Sequence, residues 1–287
     1  MRILCLHGVG SSGAILESQL RPFMRAVDPS YEFVFVDGPV QSPRGPGMGA
    51  FHDGLFFSHT SSYSPTGMSD ALSHLSDVIS DLGPFDGVLG FSQGAALALS
   101  YLHQQQSRRE PAPFRFALCF SSVIPCSAES EHCHGIVQRL CALPEGSRIT
   151  SAYPDAAAEG LDADEALFVE LLRRTILPAK KHNAMLPDYD IGVYTDGDGF
   201  DAPRLMAGGL LAEKVAIPTV HVTGKRDHDF MRNMAEVAYG ICDARLSRRL
   251  EHAGGHQPPQ KDSEVKAAVR AMDWAIRLSE RTANLRL

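Results

Sequence analysis

The sequence lacks any apolar run long enough to span a bilayer, so no transmembrane helix is expected. It also lacks a surplus of positive charge. Its 27 Lys and Arg against 34 Asp and Glu leave a formal net charge of −7, which argues against nucleic acid or an anionic membrane as the main partner. A strand candidate begins at Arg2, with no charged, apolar and cleavage-site succession of a secretory leader, and a cytoplasmic protein is expected. The six cysteines include no C-x-x-C pair and are spread along the chain, the pattern of reduced thiols rather than of a disulfide framework. Cys126, Cys133 and Cys141, with His132 and His134, are the one cluster resembling metal ligands; its spacings fit no common zinc site, and neither metal nor cofactor is expected. There is no internal repeat and no low-complexity tract. What is present, 287 residues of which 44% are apolar, suffices for one large α/β core, and a single domain over 1–287 is expected.

Gly90-Phe91-Ser92-Gln93-Gly94 lies between a short strand candidate (86–90) and a helix of small residues beginning at Ala95. Strand, G-x-S-x-G and helix in that order describe a nucleophile elbow, in which the serine is held in a strained turn and the flanking glycines let the chain pack closely. An ordinary Gly-rich turn is the simpler alternative. A serine hydroxyl is a weak nucleophile at neutral pH, so the reading requires a histidine base and a carboxylate to orient it.

Both partners are sought downstream, past the carboxyl ends of later strands. The strand candidate 217–223 is followed by the turn Gly224-Lys225-Arg226-Asp227, which makes Asp227 the preferred acid. Asp229 competes with it, although it also suits the N-cap of a helix starting near Phe230. Of twelve histidines, His256 stands apart because Gly254 and Gly255 allow a sharp loop to return its imidazole over the sheet. His252, at the strand end, is the competing base; His228 suits a solvated turn. The oxyanion hole calls for two backbone N–H groups, expected from Gln93, after the nucleophile, and Val9, in the turn after the strand at 2–6.

The same amino-terminal turn satisfies G-x-G-x-x-G through Gly8, Gly10 and Gly13, with Asp37 ending the next strand candidate, as a dinucleotide site would require. The absence of G-K-S/T disfavours a phosphate loop of the other type. The elbow serine, the later Gly-x-x-Asp and the Gly-Gly-His, in that order, favour a hydrolase over the oxidoreductase reading.

Strand candidates at 2–6, 32–37, 86–90, 115–120, 217–223 and 246–251 alternate with helical patterns. Leu72, Leu75, Ile79 and Leu82 mark one helix, stopped by Gly83-Pro84, and Val265, Ala268, Val269, Met272 and Ile276 mark another near the carboxyl end. The expected fold class is α/β, an α/β-hydrolase fold with a mostly parallel sheet of about six strands in the order 2-1-3-4-5-6, flanked by helices. Two segments exceed this scaffold. Residues 38–67 carry Phe51, Phe56, Phe57 and Tyr63, which either wall an apolar acyl pocket or anchor the loop. About 125–212 reads as a lid or cap insertion, with Leu167, Phe168, Leu171 and Leu172 marking a lid helix. Arg173, Arg174, Lys180 and Lys181 form either a solvated basic face or a contact for an anionic carrier.

These blocks together resemble the FSH family of α/β serine hydrolases, fungal esterases and polyketide thiohydrolases among them, which is similar to the ovarian-cancer-associated serine hydrolase. The resemblance rests on Leu4–Gly8, Phe35–Pro39, Gly87–Gly94, Pro218–Gly224 with Asp227, and Gly254–His256, and runs from Arg2 to about Trp274. It implies Ser92, Asp227 and His256 as the triad and Val9 with Gln93 as oxyanion donors. The insertion at about 125–212 matches no motif of the family. The expected activity is cleavage of an acyl ester or thioester through an acyl-enzyme, preferably a polyketide or fatty acyl thioester, small or bound to a carrier protein. Acyl transfer or Claisen-type condensation by the same residues is the alternative within catalysis, and a non-catalytic acyl-binding protein the alternative outside it.

Overall fold

The computed structural model describes residues 1–46, 54–143, 160–182, 191–194 and 197–284. The strands, in chain order, are β1 (Arg2–Leu6), β2 (Glu32–Val36), β3 (Val40–Ser42), β4 (Phe56–Ser58), β5 (Gly87–Phe91), β6 (Phe116–Phe120), β7 (Cys126–Ser127), β8 (Arg204–Leu205), β9 (Thr219–Gly224) and β10 (Ser247–His252). The α-helices are α1 (Gly13–Met24), α2 (Pro65–Leu82), α3 (Gln93–Ser107), α4 (His134–Cys141), α5 (Ala163–Leu171), α6 (Leu177–Lys181), α7 (Asp229–Gly240) and α8 (Asp262–Asn284).

Six strands form the main sheet in the order β10-β9-β6-β5-β1-β2, with every neighbouring pair parallel. This is the α/β-hydrolase arrangement and the strand order expected from the sequence. Position in the sheet explains the strand compositions. The central strands β5 (GVLGF) and β6 (FALCF) are buried throughout, as parallel strands covered on both faces must be. The edge strand β10 (SRRLEH) exposes its charged middle, which discourages edge-to-edge pairing.

Side chains alternate between the two faces of each strand. Ile3 and Cys5 of β1 join α1 and α8, through Leu16, Leu20, Phe23, Val265 and Met272. Leu4 and Leu6 face the opposite layer, with Leu72 and Leu75 of α2, Leu99 and Leu102 of α3, and Met234 of α7. Helix α2 begins at Ser64, whose hydroxyl accepts the Gly67 N–H at 3.2 Å, with Pro65 in the first turn, where no N–H is needed. Its last apolar position, Leu82, is 42% exposed, so the buried stripe ends a turn before the periodic pattern does.

Two small antiparallel ladders lie outside the main sheet: β3 with β4, and β7 with β8. The expected insertion at about 125–212 contains β7, α4, β8 and one helical run, α5 through a π-helical turn (Leu172–Ile176) into α6. The run starts at a capping box in which Asp162 accepts the Asp164 and Glu165 N–H groups while Glu165 receives the Asp162 N–H. Phe168, Leu171 and Leu172 are buried, and the run is tied to α7 by paired hydrogen bonds between Arg174 and Asn233 at 3.0 and 3.2 Å. Arg204 of β8 is 1% exposed and donates to the Ser130, Gly199 and Ala202 carbonyls, which joins the start of the insertion to its end. Phe51 lies outside the described residues.

Candidate active site

Ser92 follows the last residue of β5 and caps α3 with φ 53° and ψ −113°, a left-handed conformation that a side-chain-bearing residue rarely adopts. The neighbouring glycines explain how the turn closes. A Cβ on Gly90 would lie 2.4 Å from the Ala95 Cα, and one on Gly94 would lie 2.3 Å from the Leu6 carbonyl oxygen. Strand, turn and helix therefore approach to backbone contact, and the first ten residues of α3 are buried.

Two loops at the carboxyl ends of β9 and β10 reach the same point. His256 Nε2 lies 3.0 Å from the Ser92 Oγ, and His256 Nδ1 lies 2.7 Å from the Asp227 Oδ2. The other carboxylate oxygen of Asp227 accepts the His228 N–H at 2.8 Å, and the carboxylate is 1% exposed. With Asp227 taking the Nδ1 proton, Nε2 is left as the acceptor for the serine hydroxyl. Phe91 packs against the imidazole with ring centroids 5.1 Å apart. Asp229 is the first residue of α7, not its N-cap; its side chain is 97% exposed and lies 3.9 Å from Arg232. His228 takes the capping position instead, and its ring packs with His182 and Phe230. His252 is buried at the end of β10.

The Val9 turn and the start of α3 meet beside the serine, where a Cβ on Gly8 would lie 3.3 Å from the Ser92 Cβ. Among the described residues, neither the Val9 nor the Gln93 backbone N–H has an intramolecular acceptor. Two free donors in adjoining turns can serve a developing oxyanion.

The β3–β4 segment grips both turns, a role that its composition did not reveal. Ser58 Oγ accepts the Gly10 N–H at 3.1 Å, and Ser11 pairs with Phe57 through both backbone groups. The His59 N–H donates to the Gln93 side-chain oxygen at 2.8 Å, whose amide nitrogen donates to the Tyr63 hydroxyl at 3.2 Å. His7 accepts the Gly38 N–H at Nε2 (2.9 Å), so its Nδ1 carries the proton, donated to the Gly8 carbonyl at 2.7 Å. Burial lowers the pKa of His7 and holds that of His59 well below its usual value, so both imidazoles, 4.5 Å apart and tilted by 31°, are neutral at neutral pH. Tyr63 also lines a narrow recess with Met68, Leu97, Ile124 and the Gln93 side chain, whereas Phe56 lies under the Arg44 guanidinium. Tyr63 is one of the aromatics expected to wall a pocket or anchor the loop, and its bond to Gln93 fits the anchor; Ser58, His7 and His59 carried no signal of this role in the sequence.

The carboxylate that would meet a ribose is already engaged: Asp37 Oδ1 accepts the Gly13 N–H at 2.7 Å, closing the turn that a dinucleotide would occupy. Of the cysteine and histidine cluster, Cys133 Sγ and His132 Nε2 approach to 3.4 Å. His132 Nε2 donates to the Leu205 carbonyl at 3.0 Å, burial pushes the Cys126 thiol up to about 12 and Cys133 up to about 11, and among the described residues no three such side chains surround one point.

Comparison with known proteins agrees with this architecture. The family model described as serine hydrolase (FSH1) matches residues 1–268. The chain is similar to the esterase alnB of Emericella nidulans, 38% identical over 280 residues that cover 98% of each chain. It is also similar to the serine hydrolase cnsH of Penicillium expansum, 31% identical over 79% of this chain and 92% of that one. The hydrolase FUB4 of Fusarium oxysporum is 26% identical over 92% of this chain and 94% of its own.

Proposed function

The chain belongs to the FSH1 family of serine hydrolases, and from that premise we propose that Ser92, His256 and Asp227 are its catalytic triad, with the Val9 and Gln93 N–H groups as its oxyanion hole. The observation that carries the proposal is the hydrogen-bonded series from Ser92 Oγ to His256 (3.0 Å) to Asp227 (2.7 Å). Ser92 Oγ attacks the acyl carbonyl while its proton passes to His256 Nε2, and the carbonyl oxygen becomes an oxyanion held by the two N–H groups. Collapse breaks the bond to the alcohol or thiol, which leaves with the proton from His256. Water then attacks the acyl-enzyme, His256 takes its proton and returns it to Ser92 Oγ, and the free acid departs.

The substrate reading is an acyl thioester or ester, with a polyketide or fatty acyl chain preferred. The esterase name of the 38% identical relative supports an ester-type acyl substrate, whereas the recess beside Gln93, about 10 Å³, has room for no more than a water and does not define the acyl chain. Of the basic residues on the α5–α6 run, Arg173 and Arg174 pair with Glu170, the arrangement of a solvated basic face, and that reading is preferred there to a carrier contact. No helix among the described residues is long and apolar enough to cross a membrane. None of the six cysteines forms a disulfide, the thiol state that a reducing cytoplasm keeps, and action there is part of the proposal.

Intact-mass analysis after exposure to a fluorophosphonate tests the triad. One adduct on the wild type, absent from Ser92→Ala, is expected. An adduct that persists in the variant would remove Ser92 from its role. Incubation with a medium-chain acyl thioester then separates hydrolysis, which yields free acid, from transfer, which yields an acylated second nucleophile.

A further inference from the structure

We infer that His252 is a positioning residue for the proposed base, holding the loop that carries His256 through a hydrogen bond from the Gly254 N–H to its Nδ1. The bond measures 3.1 Å and runs from one residue's side chain to the backbone two positions on. This is the ring an asparagine closes in an Asx turn, with the imidazole Nδ1 standing where the amide oxygen would be. His252 is 2% exposed, so the bond is shielded from competing water.

The surroundings are built for that contact. A Cβ on Gly254 would lie 2.8 Å from both Nδ1 and Cε1 of His252, so the ring lies flat against the backbone at a position where only glycine fits. Because Nδ1 accepts, the ring proton resides on Nε2, which is buried. Burial holds the imidazole below its usual pKa, against the opposing pull of the Glu264 carboxylate, the Gln257 carbonyl and the Asp227 carboxylate, and the neutral ring keeps its acceptor.

The loop held in this way joins both downstream members of the site. The Gly254 carbonyl accepts the Arg226 N–H at 2.9 Å, and the His252 carbonyl accepts the Lys225 N–H at 2.8 Å. Arg226 Nε donates to the Ala253 carbonyl at 2.7 Å, and Glu264 receives the Ala253 N–H at 2.8 Å. The turn bearing Asp227 and the loop bearing His256 are therefore fastened to each other through residues 252–254. His252 and Glu264 supply the side-chain acceptors at that junction, for the Gly254 and Ala253 N–H groups, while the Ser92 hydroxyl is hydrogen-bonded to His256 and not to His252. The inference rests on the triad reading above.

Three variants separate the acceptor from the bulk of the ring. His252→Asn keeps an acceptor at the same bonded distance from Cα, His252→Gln moves it one bond outward, and His252→Leu fills space without an acceptor. Steady-state kinetics on p-nitrophenyl butyrate, with thermal unfolding alongside, are the readout. His252→Gln and His252→Leu are expected to lose about 10- to 100-fold in kcat with KM within about twofold, the cost of a misplaced base, while His252→Asn recovers most of the loss. Wild-type kcat in a folded Gln or Leu variant would overturn the inference, as would equal losses in Asn and Gln. If His252→Leu fails to fold, the Asn and Gln pair decides by the same criterion. Failure of the triad reading is distinct, because it appears as fluorophosphonate labelling that survives Ser92→Ala.

Discussion

Replacing Asp227 by asparagine alters one atom of the side chain and reverses the proton map of the site. The carboxylate has an N–H partner for each oxygen: His228 N–H on Oδ1 at 2.8 Å and His256 Nδ1 on Oδ2 at 2.7 Å. An amide offers one acceptor and one donor. If its oxygen keeps the His228 N–H, its NH2 faces Nδ1, which must then be unprotonated. The imidazole proton moves to Nε2, opposite the Ser92 Oγ at 3.0 Å, and the base is lost. If the amide flips, two N–H donors oppose each other in a site that is 1% exposed, leaving a buried donor unpaired at a cost of about 1–3 kcal/mol. The competent tautomer is then about 10- to 100-fold rarer, at 1.4 kcal/mol for each factor of ten. Loss of the negative charge that stabilises the imidazolium in the transition state adds to this, giving an expected fall of about 10³- to 10⁴-fold in kcat. The assay is steady-state hydrolysis of p-nitrophenyl butyrate, with the rate of fluorophosphonate labelling as an independent measure of Ser92 activation. Asp229→Asn is the control: that side chain is 97% exposed, and a change of no more than about twofold is expected. An Asp227→Asn variant whose kcat stays within tenfold of wild type, or an Asp229→Asn variant that falls as far, would refute the assignment.

The remaining expectations address the scaffold. Ser58→Ala removes the acceptor of the Gly10 N–H beside Val9 and should cost about 1–2 kcal/mol in urea unfolding together with a loss in kcat; an unchanged kcat would separate the β3–β4 grip from the oxyanion turn. Gly94→Ala places a Cβ 2.3 Å from the Leu6 carbonyl oxygen, and size-exclusion chromatography is expected to find no folded peak at the wild-type elution volume. Burial lowers His221 to about 3, so the unfolded chain binds the extra proton as pH falls through the ordinary histidine range, and stability is lost from about pH 6.5 down towards that folded value. His221→Val should therefore show a smaller drop in melting temperature between pH 7.5 and 5 than wild type; an equal drop would assign the acid sensitivity elsewhere. Asp162→Ala breaks the capping box at the start of α5 and should cost about 1 kcal/mol, read as a shift in the urea midpoint.

The strands and their order were legible because parallel strands buried on both faces must be nearly all apolar, and because short turns punctuate them. β5 and β6 carry that pattern without interruption. The elbow was legible for a related reason: Gly90 and Gly94 stand where a Cβ would meet backbone, a covalent restriction that leaves its mark in the residue type. Helix α8 followed from apolar spacing, since Val265, Ala268, Met272 and Ile276 are all buried. The apolar face of the α5 run was legible in part. Periodicity marked Phe168, Leu171 and Leu172 as an apolar face but carried no information about its partner, and that face is buried with the run tied to α7.

By itself, then, the sequence determined the α/β class, the strand order, the elbow serine and the short set of carboxylates and imidazoles able to reach it, because each of these depends on local periodicity or on a backbone restriction. Within that set the turn after β9 and the Gly-Gly-His already favoured Asp227 and His256 over Asp229 and His252, and the tertiary structure shows how differently the competing residues are placed. Asp227 and Asp229 differ by two positions, yet one is enclosed against His256 and the other stands in solvent. His252 and His256 differ by four, yet one turns inward beneath Gly254 and the other outward to Ser92. The grip of Ser58 and His59 on the Val9 turn and Gln93 was invisible, because hydrogen bonds that close across some 30 to 50 residues leave no periodic trace in the residues that make them.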